Sequence, residues 1–291
     1  MDQRIIDLYD RFTHGQISRR EFMDGLGRLA GSTAAATALL PVLTNNYAQA
    51  AIVAPEDERI ETRRVSYPAP GGAISGYLVR LKGADAKRPA VIVIHENRGL
   101  NPHIEDVTRR IALEGFLAFA PDLLTLAGGT PTNEDEARDK IAKLKSEDTV
   151  AQLVACVTFL KAHPMSTGKV GAVGFCWGGG KVNELAAASP ELDAGVAYYG
   201  MQIPADKVSA IKAPLLLHYA GLDERINAGM EAYRKALTDQ GKTFEIFVYD
   251  GVNHAFNNDT NATRYDKAAA DLAWGRTVTF LKKYAGEPPA G

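Results

Sequence analysis

The sequence has few cysteines and no excess of basic charge, and these absences exclude several classes of protein. Only Cys156 and Cys176 occur among the 291 residues, so a disulfide scaffold is excluded and at most one bridge can form. The 33 Lys and Arg residues against 35 Asp and Glu residues leave a net charge of −2, so binding of nucleic acid is not expected. With 46% hydrophobic and 23% charged residues, the composition is that of a globular protein with a full core.

Motifs for two cofactor sites, for a redox pair and for a metal site are also missing. The sequence has no Gly-x-Gly-x-x-Gly fingerprint, and Lys181 is followed by Val182 where a phosphate loop has Ser or Thr. A Cys-x-x-Cys pair would need a second cysteine at the position of Gly179. No histidines and cysteines have the spacing of metal ligands. We therefore predict neither a cofactor nor a metal.

The first 50 residues have features of an export signal. Residues 18–23, Ser-Arg-Arg-Glu-Phe-Met, precede an Ala-rich stretch over residues 30–43 and an Ala-Gln-Ala sequence at residues 48–50. This order is typical of a twin-arginine signal with its cleavage site, and it favours export to the periplasm. The apolar stretch is shorter than the roughly 20 residues that span a bilayer, so no stable membrane anchor is expected.

A second interpretation of the N-terminus stays open. The segment before the two arginines is long, carries three aspartates and has the apolar stripe of an amphipathic helix. This pattern favours helices that are retained in a cytoplasmic protein. Under either interpretation, residues 1–50 form a leader and residues 51–291 form the main domain. We expect no catalytic residue in the leader, and His14 is set aside for that reason.

From residue 60 onward, apolar runs of strand length alternate with segments of helical period. Strands are predicted at residues 61–67, 76–82, 90–94, 116–120, 170–174, 194–199, 215–219 and 245–249. Helices are predicted at residues 102–114, in two pieces over residues 133–160, and at residues 264–284. This alternation is typical of parallel βαβ units. It predicts one doubly wound α/β domain whose mostly parallel sheet is flanked by helices on both faces.

A Gly-x-Cys-x-Gly sequence follows the predicted strand at residues 170–174 and precedes a helix. This is the context of a nucleophile elbow in which Cys176 replaces the more frequent Ser. Gly174 and Gly178 are expected because side chains at these positions would collide with the sharp, strained turn. The N-terminus of the following helix would lie near the sulfur, and its partial positive charge favours a thiolate.

An acid and a base should follow the nucleophile along the chain, each in a loop after a later strand. Asp223 follows the predicted strand at residues 215–219, and His254 follows the one at residues 245–249. Both loops come at carboxyl ends of strands, where an open α/β sheet forms its crevice. His254 would take the thiol proton and Asp223 would orient the imidazole. Asp223 is equally suited to capping a helix that begins near residue 225.

A polar segment, His-Glu-Asn-Arg-Gly-Leu at residues 95–100, follows the third predicted strand directly. In an α/β-hydrolase fold this loop supplies one backbone N–H of the oxyanion hole, and the residue after the nucleophile supplies the other. The predicted donors are therefore Asn97 and Trp177. Glu96 is a candidate catalytic carboxylate, and the alternatives are a surface position or a salt bridge to Arg98.

Taken together, these residues resemble the dienelactone hydrolase family, the cysteine branch of the α/β-hydrolases. The resemblance covers roughly residues 59–284 and rests on the segments at residues 95–100 and 174–179, with Asp223 and His254. It implies an α/β-hydrolase fold and a cofactor-free carboxylesterase or lactonase that acts on small molecules.

The resemblance also implies a role for each site residue. Cys176 is implied as the nucleophile that forms a thioester acyl-enzyme, His254 as the base and Asp223 as the group that orients it. Glu96 is implied to contact the resting thiol and to help activate it when substrate binds. Such an arrangement would keep an idle thiolate from being oxidised.

One departure from the family puts dienelactone itself in doubt. Relatives that act on dienelactone hold its carboxylate with an arginine four residues after the histidine, and Asn258 stands there in this sequence. The charge-assisted clamp is lost at that position, and Arg98 or Arg138 is the candidate to replace it. Two other functions stay open: a non-catalytic binding protein on the same fold, and a thiol redox protein that pairs Cys156 with Cys176.

Overall fold

The computed structural model describes residues 1–47 and 51–289, so the Ala-Gln-Ala sequence at residues 48–50 lies outside the described residues. The strands are β1 Ile60–Ala69, β2 Gly72–Leu81, β3 Arg88–Ile94, β4 Leu117–Pro121, β5 Ser166–Phe175, β6 Ala194–Tyr198, β7 Leu215–Ala220 and β8 Phe244–Tyr249. They form one sheet in the spatial order β1-β2-β4-β3-β5-β6-β7-β8. The β1–β2 and β2–β4 pairs are antiparallel, and every other pair is parallel.

Helices cover both faces of this sheet. Three precede it: α1 Gln3–Thr13, α2 Arg19–Ala30 and α3 Thr33–Leu43. The others are α4 Pro102–Leu113, α5 Glu134–Ile141, α6 Ser146–Ala162, α7 Trp177–Ala188, α8 Glu224–Asn227, α9 Met230–Asp239 and α10 Lys267–Ala285. Helices α4 and α10 pack on one face with Val91 and Val93 of β3. Helices α6, α7 and α9 pack on the other face with Ile92 and Ile94. This alternation along β3 confirms a doubly wound sheet whose central strands are buried on both sides.

The predicted elements are present, with differences at their boundaries. β5 begins at Ser166, four residues before the apolar run that predicted it. Ser166 is buried, but Thr167 and Lys169 are exposed, so the start of β5 lacks the apolar run of a central strand. The predicted helical region at residues 133–160 consists of α5 and α6. Pro102 lies in the first turn of α4 as expected.

The leader is folded into three helices with a small core of their own. That core includes Tyr9, Phe12, Phe22, Leu26 and Leu43. The two arginines of the signal-like motif begin α2, whose N-terminus is closed by a capping box between Ser18 and Glu21. Among the described residues, no single helix is long and apolar enough to cross a membrane, although α2 and α3, bent by 109° at their junction, pass that test as a pair. Export and cleavage stay predictions.

Candidate active site

Cys176 lies in a strained turn between the end of β5 and the start of α7. Its backbone has φ 55° and ψ −115°, a conformation that a residue with a side chain rarely adopts. The turn is fixed on both sides, because the Cys176 N–H donates to the Tyr198 carbonyl at 3.0 Å and its carbonyl accepts from Gly180 N–H at 3.1 Å. This geometry confirms the predicted elbow.

The two glycines of the elbow are required by close backbone contacts. A Cβ on Gly174 would lie 2.2 Å from the Gly178 carbonyl oxygen. A Cβ on Gly178 would lie 2.4 Å from the Ile94 oxygen and 2.5 Å from the His95 oxygen. These neighbours are backbone atoms at the end of the buried strand β3, so they have little freedom to move. The glycines therefore allow α7 to start against the edge of the sheet.

His254 and Asp223 meet at the same edge of the sheet, as the sequence predicted. The His254 Nδ1 is hydrogen-bonded to the Asp223 Oδ2, and both side chains are buried. The other carboxylate oxygen of Asp223 accepts the Ile226 N–H at 3.2 Å and caps α8. Asp223 thus does what both interpretations of it expected: it orients an imidazole and it begins a helix.

His14 from the leader also contacts the thiol, and the expectation that the leader stands apart from the site is wrong. The His14 Nε2 lies 3.3 Å from the Cys176 Sγ. Its ring packs edge-on against the ring of His254, with centroids 4.6 Å apart. On its other side, the His14 Nδ1 lies 2.8 Å from the Asp10 carbonyl oxygen and 3.2 Å from the Asp10 Oδ2. The thiol is therefore flanked by two imidazoles, each of which is held by an aspartate.

This arrangement favours a thiolate paired with imidazolium. Burial opposes ionisation of Cys176, but the imidazoles of His254 and His14 outweigh it and lower the pKa of the thiol well below its usual value. Burial also opposes protonation of His254, yet the Asp223 carboxylate and the Cys176 sulfur raise the pKa of that imidazole to about 10. The pKa of His14 is raised for the same reasons, through the sulfur and Asp10 against the effect of burial.

Glu96 is buried near the thiol, but it does not make the resting contact that the resemblance implies. Its Oε2 accepts a hydrogen bond from the Asn258 Nδ2 at 2.9 Å, and its Oε1 has no hydrogen-bond partner among the described residues. Neither alternative for Glu96 applies, because the residue is only 5% exposed and Arg98 pairs with Glu134 instead. The hydrogen bond from the Asn258 amide therefore turns one oxygen of the Glu96 carboxylate toward Asn258.

The two predicted oxyanion donors come from the expected elements. Trp177 is the first residue of α7, so its N–H has no acceptor within the helix. Asn97 follows β3, and its side chain donates to the Thr13 carbonyl oxygen of the leader at 2.8 Å. Both residues line the same cavity as Cys176.

Three arginines approach the site, and one of them was not predicted. The Arg98 Nε lies 3.5 Å from the Glu134 Oε2. Arg138 stacks on the ring of Phe12 in the leader, 4.6 Å from its centroid. Arg264 lines a small cavity together with Cys176. The Arg264 Nε is buried and makes no hydrogen bond in the described part of the chain, whereas the Arg98 Nε is taken up by the ion pair with Glu134.

Cys176 borders two cavities of different size and chemistry. The larger has a volume of about 610 Å³, and its lining includes Thr13, His14, Trp177, Tyr199 and His254. The smaller has about 20 Å³, room for one water, and its lining includes Glu96, Arg98, Arg264 and His254. The larger cavity has the size of a small-molecule site, and the thiol is reachable from it.

The site also contains three atoms that are able to bind a metal. Potential ligand atoms of His14, Cys176 and His254 lie within 4.8 Å of one another, which sequence spacing alone did not indicate. The contacts described above account for them as a thiol with two imidazole neighbours, and we assign no ion to them. The other thiol, Cys156, is free and fully buried. It lies in the core on the α6 side of the sheet, whereas Cys176 belongs to the opposite core.

Asp10, His14 and Arg264 are the site residues that sequence reasoning missed. A signal for the first two was available, because an Asp and a His four residues apart lie on one face of a helix. Nothing in the leader indicated which surface that face would contact. Arg264 falls ten residues after His254 and follows no predicted strand, so no local context marked it.

Comparison with known proteins agrees with this fold. The model of the dienelactone hydrolase family matches residues 74–285, which is more than half of the chain. The chain belongs to the dienelactone hydrolase family. A second family model, described as YqhI-like, matches residues 1–31 within the leader.

Similar proteins of this family come from bacteria and an archaeon. A protein of Escherichia coli K12, provisionally named a carboxymethylenebutenolidase, is 33% identical over 250 residues, which cover 81% of this chain and 92% of that one. A protein of Saccharolobus solfataricus with the same name is 32% identical over 257 residues, 76% and 98% of the two chains. A solved structure from Klebsiella pneumoniae, provisionally named a dienelactone hydrolase, has a TM-score of 0.71 and 31% identity, and the match covers 77% of this chain and 99% of that one. The chain is thus an ester or lactone hydrolase with the α/β-hydrolase fold.

Proposed function

We propose that this protein hydrolyses small esters or lactones with Cys176 as nucleophile, His254 as base and Asp223 as the group that orients His254. The observation that carries the proposal is the strained elbow at Cys176 beside a buried His254–Asp223 hydrogen bond. A strained backbone at a reactive side chain is typical of active sites, where the fold holds the nucleophile ready for attack.

The reaction proceeds in two halves. The Cys176 sulfur attacks the substrate carbonyl, and the developing oxyanion is bound by the backbone N–H groups of Asn97 and Trp177. The His254 imidazolium gives its proton to the leaving oxygen, which leaves a thioester on Cys176. Neutral His254 then takes a proton from water, the hydroxide attacks the thioester, and the C–S electron pair returns to sulfur. Asp223 stabilises the His254 imidazolium before the first half of the reaction and again when it forms in the second half.

Glu96 is proposed as a second catalytic carboxylate beside the thiol. Its buried Oε1 has no partner, and it lines the smaller cavity together with Cys176. A carboxylate oxygen in this position is available to receive a proton or to orient a water. Since Asn258 holds the other oxygen, the carboxylate keeps one orientation.

For the substrate, we propose a small ester or lactone that carries an anionic group. Asn258 is fully buried, its amide is engaged by Glu96 and Thr260, and it carries no charge, so a cation for the anionic group has to come from another residue. Arg138 lines the larger cavity together with Cys176, and an arginine at that cavity suits a carboxylate. Arg98 and Arg264 line the smaller cavity, which has room for one water.

The test is a hydrolysis screen of small aryl esters, simple lactones and dienelactone with the parent, Cys176→Ser and Cys176→Ala. The Cys156→Ala variant is the matched control, because it removes the other thiol from a different part of the core. We expect both Cys176 variants to lose turnover and the control to keep it, with an acyl group trapped on the Cys176 peptide by mass spectrometry. Hydrolysis that survives in Cys176→Ala contradicts the proposal.

Two further outcomes identify the competing functions. If the parent binds esters without hydrolysing any, the protein is a binding module on a hydrolase fold. If mild oxidation removes both thiols together and reduction restores them, Cys156 and Cys176 form a redox pair. The separation of the two thiols into different cores argues against that second outcome.

A further inference from the structure

The geometry points to Asp10 and His14 as a second carboxylate–imidazole pair that acts on the Cys176 thiol and is supplied by the leader helix α1. His14 contacts the nucleophile at 3.3 Å, and its ring packs edge-on against the ring of His254, the hydrolase domain's own histidine. We assign to His14 the task of keeping the thiol ionised, which leaves His254 to move protons between leaving group and water. The contact itself is independent of the proposed function, whereas this division of tasks rests on it.

The hydrogen bonds of His14 determine which nitrogen faces the thiol with a lone pair. The Asp10 carbonyl oxygen, 2.8 Å from Nδ1, is only able to accept a hydrogen bond, so Nδ1 carries a proton. In neutral His14, Nε2 is therefore the basic nitrogen, and Nε2 is the atom beside the Sγ. The thiol proton moves from Sγ to Nε2, the S–H electron pair stays on sulfur, and the new N–H donates to the thiolate. The Asp10 carboxylate, 3.2 Å from Nδ1, stabilises the resulting imidazolium.

Helix α1 is held in the place that this role requires. Asp10, which partners His14, is 3.6 Å from the Arg264 Nη1, and the Thr13 carbonyl accepts from the Asn97 side chain. The helix ends at Thr13 with His14 as its C-cap, and Gly15 follows with φ 71°, a left-handed conformation that suits glycine and ends helices. The imidazole of His14 is thus positioned by a defined helix end and by two polar contacts with loops that follow strands of the hydrolase domain.

The leader forms a wall of the active site and leaves the thiol accessible. The cavity of about 610 Å³ is bordered by Cys176 as well as by Thr13, His14 and Gly15. A substrate in this cavity meets the sulfur and the leader at the same time. This favours a catalytic contribution from α1 over a blocking one, because a blocking segment would fill the space in front of the nucleophile.

The charged groups around His14 favour its protonation as a whole. Those that face it from the packed elements are Asp10, Cys176, His254, Arg264, Arg98 and Glu96. The sulfur and the Asp10 carboxylate raise the pKa of His14, and the neighbouring His254 and burial lower it, with a net rise. The cationic arginines are paired with carboxylates, Arg264 with Asp10 and Arg98 with Glu134.

The test measures ionisation of the thiol directly in the full-length protein. The rate of Cys176 alkylation by iodoacetamide is followed against pH, in the presence of a chelator, for the parent, His14→Gln and the control His163→Gln. His163 caps α6 and does not line either cavity at the thiol. Cys156 is fully buried and does not compete. We expect the midpoint for His14→Gln to rise by about one pH unit or more, a tenfold loss of thiolate on the acid side, with no change for His163→Gln.

Two more variants keep the test decisive if His14→Gln folds poorly. Asp10→Asn, which keeps the helix and removes the charge, should raise the midpoint by a smaller amount. Alkylation of His14→Ala at neutral pH should be restored by added imidazole, which a merely structural role would not produce. Identical alkylation profiles for the parent and His14→Gln overturn the proposal. Because alkylation needs no substrate, that result is distinct from a failure to find Cys176-dependent hydrolysis.

Discussion

Replacement of Asp223 by Asn and by Ala separates its two contacts and tests the catalytic assignment. Asn keeps an oxygen that is able to cap α8, since Asn and Asp are equally good N-caps, but it removes the charge that faces His254. Ala removes both. The two variants should therefore lose similar activity but differ in stability.

The size of both effects follows from the structure. An imidazole whose pKa is raised from 6.5 to about 10 is stabilised as the cation by about 5 kcal/mol. Asp223 shares this effect with the Cys176 sulfur and Asp10; if it contributes half, its loss costs about 2–3 kcal/mol, which is on the order of a hundredfold in kcat/KM. Loss of the cap in Asp223→Ala should cost about 1 kcal/mol more than in Asp223→Asn.

The assay is kcat/KM on the best aryl ester together with thermal unfolding, both at neutral pH. Asp266→Ala is the matched control, because Asp266 caps α10 through the Ala269 N–H at 2.9 Å and is absent from the lining of both cavities at the thiol. It should lose about 1 kcal/mol of stability and keep its activity. If Asp223→Asn keeps parental kcat/KM, the carboxylate does not support His254, and the triad assignment fails. Equal unfolding temperatures for Asp223→Asn and Asp223→Ala would show that the cap contributes nothing.

Three further predictions test the elbow, the ion pair and the substrate cavity. Gly178→Ala should destabilise the fold by about 1–3 kcal/mol, because the new Cβ collides with fixed backbone oxygens. The control Gly275→Ala, at a helix position with open space around it, should stabilise the fold by about 0.5–1 kcal/mol. Equal unfolding temperatures for the two variants would contradict the close contact at Gly178. The pKa of Cys176 is lowered and the pKa of His254 is raised to about 10. Therefore kcat/KM should be level across neutral pH and fall as pH rises through about 10, where the His254 imidazolium loses its proton. A basic midpoint near pH 6.5 would argue against the thiolate–imidazolium pair. Arg138, which lines the larger cavity, should bind an anionic substrate group. Arg138→Gln should therefore raise KM for a carboxylate-bearing ester by about tenfold or more, since a charge-assisted hydrogen bond is worth about 1.5–3 kcal/mol, and leave KM for a neutral ester of the same size unchanged. Equal changes for both esters would remove Arg138 from substrate binding.

The catalytic candidates in the domain were predictable because each has a local signature. Cys176 lies in a strand–turn–helix with glycines on both sides, and such a turn depends on a few neighbouring residues. Asp223 and His254 each follow an apolar run of strand length. Parallel strands bring their carboxyl ends to one edge of the sheet, so chain order together with strand prediction was sufficient to expect these side chains near one another.

The orientation of Glu96 was not predictable in the same way. Its position after β3 was clear from the sequence, and its burial near the thiol follows from the fold. Its hydrogen bond to Asn258 joins residues 162 positions apart, and such a pairing depends on how two loops pack.

The sequence by itself determined the α/β class, the succession of strands and helices along the chain, the elbow and the chain order of nucleophile, acid and base, because these depend on periodicity and on turns of a few residues. Only the tertiary structure decided that the leader contributes to the site. His14 and Cys176 are 162 positions apart, and the helix that carries His14 shows only its own amphipathic stripe in the sequence. Which surface that helix packs against is set by long-range contacts such as Asp10 with Arg264 and Thr13 with Asn97, and no local pattern encodes them.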